Sequence, residues 1–114
     1  MSEYERIKEF HTKLVGVTHD NDDGTSRQKI IGRCRIGENL KLALQPNNIY
    51  DSNAVAICRE SGEQVGWLSR TVAEEIVRRG KEGEQFSIEI SDLTGGTRSR
   101  PTLGVNVKIG VCKI

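Results

Sequence analysis

Positions 47 to 53 read NNIYDSN, and five of those seven side chains, Asn47, Asn48, Tyr50, Asp51 and Asn53, can recognise a ligand by hydrogen bonding or stacking. A tyrosine offers a flat ring with a polar tip, and a carboxylate beside it accepts hydrogen bonds and repels anions. Further along, QVGWLSR brings the one tryptophan, Trp67, and Arg70 to either side of Ser69, a residue suited to capping a helix. A helix start already favours anions, and an arginine there adds a two-pronged phosphate clamp. The same residues also have a plainer reading. Asn-Asn and Asp-Ser-Asn are turn formers, Tyr50 can plug a barrel end, and a lone tryptophan is often core.

Other groups offer less chemistry. Arg27, Lys29, Arg33 and Arg35 make one basic stretch and Arg98 and Arg100 another, and such residues are commonly solvated surface. His19, Asp20, Asp22 and Asp23 resemble a cation loop, but the glycine and later glutamate of an EF-hand are out of register, so no metal is expected. No phosphate loop and no recognisable set of nucleophile, base and orienter occurs, so neither an enzyme nor a cofactor is expected. Cys34, Cys58 and Cys112 are odd in number and far apart. They are expected to be reduced core residues.

These side chains need a frame. Leu14, Val15 and Val17 suggest a first strand, and the spacing of Thr25 and Gln28 suggests a capping box opening a short helix with Ile30, Ile31 and Cys34 inward. Leu40, Leu42 and Leu44 alternate as a strand that Pro46 ends. AVAIC and QVGWL, joined by Ser61-Gly62, read as an antiparallel hairpin. Ser69 then starts a helix with Val72, Ala73, Ile76 and Val77 inward and Gly80 as its stop. Phe86 to Ile90 and Leu103 to Val111 alternate as two further strands around the loop TGGTRSRP. The expected fold is mainly β with two short helices, a small OB-like antiparallel β-barrel.

At 114 residues the chain is expected to be one domain over 11–114, with a mobile tail over 1–10. No apolar run reaches the length of a membrane span, and the charged opening MSEYERIKEF is unlike a signal peptide, so a cytoplasmic protein is expected. A net charge of +1 leaves no protein-wide field to draw in nucleic acid, so any such contact must be local.

Three blocks in order, LVGVTHDNDDGTSRQKIIGRC, LALQPNNIYDSNAVAIC and QVGWLSRTVAEEI, resemble the HIRAN domain family. The central block is the most specific, with P-N-N-x-Y-D-x-N-A followed by G-aromatic-L. The first block is similar to the bacterial and phage branch, whose members often stand alone. The resemblance implies a modified OB-like barrel that binds single-stranded DNA at its 3′ end without catalysis, in repair, replication or phage-related processes. It assigns the stacking tyrosine to Tyr50, the hydroxyl-reading aspartate to Asp51 and the flanking asparagines to Asn48 and Asn47. It gives base contact to Trp67 and phosphate contact to Arg70. The eukaryotic members carry further aromatics where this chain has Gln28, Lys29 and Ile30, and again in the late loop at Arg98, Ser99 and Arg100. That departure implies a more electrostatic grip, with Lys29 among the contacts. RNA stays open as the strand, as does a protein-interaction module that recruits a replication or phage partner. A metal-dependent phosphoesterase using Asp51 and the Asp20 to Asp23 cluster is the least favoured reading.

Overall fold

The computed structural model describes residues 5–113. Along these residues run β1 (Glu5–Lys13), α1 (Arg27–Ile31), β2 (Leu40–Leu44), β3 (Val55–Arg59), β4 (Gln64–Trp67), α2 (Arg70–Lys81), β5 (Glu84–Thr94) and β6 (Gly104–Lys113). They form two antiparallel three-stranded sheets, ordered β1-β6-β5 and β2-β3-β4.

Alternation in β6 builds the core of the first sheet. Val105, Val107, Ile109 and Val111 are all fully buried. They stand opposite Leu93, Ile90, Ile88 and Phe86 of β5, while Phe10 of β1 faces Ile109 from the other side. Burying each such side chain contributes about 1.5–3 kcal/mol. The β5–β6 register shifts between Ile90 and Asp92. This irregularity changes the phase of alternation, so that Leu93, rather than Asp92, continues the apolar face. The second sheet turns Val55, Ile57 and Val65 inward against Leu14, Ile30, Ile31, Ala73 and Ile76.

The expected barrel does not close. Strands β2, β3 and β4 have 5, 5 and 4 residues, against 9, 11 and 10 for β1, β5 and β6. No ladder joins the short sheet to the long one. Instead the sheets meet at two seams, each a single bridge, Val15 with Trp67 and Asn39 with Glu89. At the first seam the two backbones exchange hydrogen bonds of 2.9 Å in each direction. Gly66 permits the approach, because a Cβ there would lie 2.9 Å from the Val15 carbonyl oxygen.

Other expectations need adjusting. The first strand is β1 rather than the Leu14 to Val17 run, since its partner is β6 and its own mixed sequence ERIKEFHTK carries little apolar signal. Of the expected tail, residues 1–4 lie outside the described residues and 5–10 run within β1. The cap of α1 is Ser26, which accepts from the Lys29 N–H, while the Thr25 hydroxyl donates to Asp23 Oδ1 at 2.6 Å. Gly80 lies inside α2; the chain leaves the helix at Glu82 and Gly83, where φ is +92°. Leu44 is 55% exposed, so the inward face of β2 fades toward its end. The three cysteines are free, Cys34 buried and Cys58 and Cys112 half-buried. Burial raises the thiol pKa of Cys34 and of Cys58.

Candidate nucleic-acid interface

The loop from β2 to β3 is a wide hairpin end. The Gln45 N–H donates to the Ala54 carbonyl at 2.9 Å and closes its base, and the Asn48 N–H donates to Gln45 O at 3.0 Å and turns the chain. Asn48 then uses its side chain on the loop itself. Its Oδ1 accepts from the N–H groups of Tyr50 at 2.9 Å and Asp51 at 3.1 Å. Asp51 does the same with one oxygen, accepting from the Asn53 N–H at 2.9 Å. The turn-forming reading of these residues is therefore correct, and it has a consequence. With the backbone held this way, the Tyr50 side of the loop tip is left bare, and Tyr50 is 85% exposed.

The junction of β4 and α2 faces this loop. Ser69 accepts from the Val72 N–H at 3.4 Å, which fixes the start of α2. Arg70 follows, with its Nε 3.5 Å from Asp51 Oδ2 and one Nη donating to the Tyr50 carbonyl at 3.4 Å. The arginine side chain is 73% exposed and the aspartate 22%, so this pair lies in water's reach and is worth little to stability. Trp67 is half-buried on the same wall.

Arg27 forms the floor. It is a buried charge at 6% exposure, donating to the Gly16 carbonyl at 2.8 Å and to Asn21 Oδ1 at 2.6 Å. Its guanidinium lies 6.0 Å from the centre of the Trp67 ring, within the range of a cation–π contact. Burial lowers its pKa and the nearby charges of Asp22 and Asp20 oppose that, but an arginine remains protonated. Gly16 has a φ of +69°, and a Cβ on it would lie 3.0 Å from Trp67 Cδ1.

Together these parts enclose an open groove of about 810 Å³ lined by Gly16, His19, Arg27, Asn48, Tyr50, Asp51, Ala54, Trp67, Leu68, Arg70 and Ala73. Five of the residues singled out from the sequence, Asn48, Tyr50, Asp51, Trp67 and Arg70, meet there. Asn47 and Lys29 do not; both are exposed and outside the lining. Arg27, Gly16 and His19 were missed as members. A signal for Arg27 existed, since it stands three and four residues before the buried Ile30 and Ile31 and so shares their face of α1, whereas Lys29 does not. Among the described residues no three His, Cys, Asp or Glu side chains gather as a metal site.

No curated protein matches the chain significantly. Among solved structures, the crystal structure of the HIRAN domain of human HLTF is similar, with a TM-score of 0.72 at 17% identity over 96% of this chain and 79% of that one. A crystal structure of a protein from Lactobacillus plantarum gives a TM-score of 0.67 at 12% identity, over 94% of this chain and all of that one. At such identities the likeness is one of fold. Family membership comes from the sequence: residues 7–90 match the model of the HIRAN domain, and this chain belongs to the HIRAN domain family.

Proposed function

We propose that the groove binds a single DNA strand and receives its 3′-hydroxyl end at Asp51. HIRAN domains are generally nucleic-acid-binding modules, and the observation that carries the finer reading is the juxtaposition of Tyr50, Asp51 and Arg70 along one groove. An exposed tyrosine ring stacks on an unpaired base of any identity, worth about 1–3 kcal/mol per base. Arg70 attracts a phosphate while Asp51, 3.5 Å away, repels one. A strand end satisfies both, because its terminal hydroxyl can donate to the carboxylate while the preceding phosphate meets the guanidinium. A phosphate seated at Asp51 would bring like charges together in a partly desolvated site.

Anisotropy titrations with labelled oligonucleotides test this reading. A 3′-hydroxyl strand is expected to bind more tightly than the same strand capped with a 3′-phosphate by about 1–3 kcal/mol. A 5′-phosphate is expected to matter little, and blunt duplex to compete poorly because its bases are already stacked. Tyr50→Ala should weaken hydroxyl and phosphate ends alike, and Asp51→Asn should narrow the gap between them. Equal binding of both ends by the wild type, with Tyr50→Ala still damaging, would reduce the groove to a general single-strand site.

A further inference from the structure

Arg33, Arg59, Arg70, Arg78, Arg79 and Lys108 each have a carboxylate partner. Lys13 and Arg100 make no ion pair among the described residues, yet they line the same recess, about 320 Å³ in size, where the late loop meets the start of β6. No carboxylate lines it, and Thr94 and Thr102 add hydroxyls. Asp92 shares a neighbouring recess with Lys13, but one of its oxygens accepts from its own neighbour, the Leu93 N–H, at 2.9 Å. The main chain fixes where each of the two side chains starts. The Lys13 stem lies over the bare backbone of Gly104, where a Cβ would come within 3.5 Å of its Cε. Arg100 closes a turn with Thr97, its carbonyl accepting from the Thr97 N–H at 2.9 Å and its N–H donating to Thr97 Oγ1 at 3.0 Å. Two like charges beside hydroxyls, with no carboxylate in the lining and Asp92 of the adjoining recess outside ion-pair distance of Lys13, make a receptor for a phosphate group.

Its position suggests which phosphate. Val17 lines this recess and its chain neighbour Gly16 lines the groove. The Gln28 side chain fastens the partition between them, donating to the carbonyls of Val17 at 3.0 Å and Leu103 at 2.9 Å and accepting from the Leu103 N–H at 2.8 Å. We propose that Lys13 and Arg100 form a second subsite, which takes an internal phosphodiester of the strand whose end lies in the groove. With no aromatic ring in its lining, the recess reads backbone and ignores base identity.

This inference rests on the groove binding a strand, so its test uses two lengths. The wild type should bind an oligothymidylate of about eight nucleotides more tightly than a thymidine dinucleotide. Its salt slope should also be steeper by about 0.7, the value for one phosphate contact on a single strand. The double variant Lys13→Ala with Arg100→Ala should bind the dinucleotide as the wild type does, lose about tenfold on the longer strand and lose the added slope. Lys13→Arg with Arg100→Lys should restore both. If the double alanine variant keeps wild-type affinity and slope on the longer strand, the subsite is wrong and the groove reading stands. If the wild type binds neither length, both readings fall. Titration with inorganic phosphate, followed by amide shifts of the 97–104 loop, separates a free-anion site: shifts with phosphate but none with the longer strand overturn the assignment.

Discussion

Both helices begin with the same dipeptide. Ser26 caps α1 and Arg27 is its first residue; Ser69 caps α2 and Arg70 is its first residue. Both arginines line one groove, yet Arg27 is buried and Arg70 is 73% exposed. The facing wall makes the difference. Arg27 meets a carbonyl, an amide oxygen and an indole ring, which together satisfy a charge that burial would otherwise penalise. Arg70 meets one carboxylate and one carbonyl at long range and keeps most of its hydration. Identical local sequence thus gives one arginine locked into the floor of the groove and one that stays hydrated at its edge.

The comparison breaks most readily at Arg27. Arg27→Ala leaves Asn21 Oδ1 without its donor and the Gly16 carbonyl with only the His19 N–H, and should cost about 3 kcal/mol of stability, read from the denaturant midpoint. Arg27→Lys keeps the charge but loses the fork that reaches both oxygens, and should still cost about 1–2 kcal/mol. Gly16→Ala should cost about 1–2 kcal/mol, since the left-handed backbone and the Trp67 edge both oppose a methyl group. Arg70→Ala comes last, with stability expected within about 0.5 kcal/mol of wild type. Its effect belongs in binding, as a salt slope shallower by about 0.7. Were Arg70→Ala as destabilising as Arg27→Ala, the division between a structural and a solvated arginine would fail.

Much of this arrangement is legible in the sequence wherever a signal is local. The alternation of Leu103 to Val111, the Ser61-Gly62 hairpin and the Ser69 cap each rest on neighbouring residues, and each corresponds to an observed element. Tyr50 and Asp51, adjacent in sequence, stand on one short loop and line the groove together. What was illegible depends on distant partners. Strand β1 is defined by pairing with the far end of the chain, and the unclosed barrel depends on how two sheets meet at isolated bridges. Gln28 looked like half of a capping box, but its carboxamide is committed to Leu103 across the fold. Lys29 lies outside the groove because the buried Ile30 and Ile31 set the inward face of α1, which Arg27 shares and Lys29 does not.

The seam between Val15 and Trp67 rests on a single pair of hydrogen bonds, and a join this short can open while each sheet stays folded. Trp67 and Gly16, the residue after Val15, lie against each other and both line the groove, so each side of the seam contributes to its wall. An occupant of the groove therefore acts as a staple across the two sheets. Hydrogen–deuterium exchange at the Val15 and Trp67 amides becomes a gauge of occupancy, slowing as the groove fills while the amides in the middle of β6 keep their own pace.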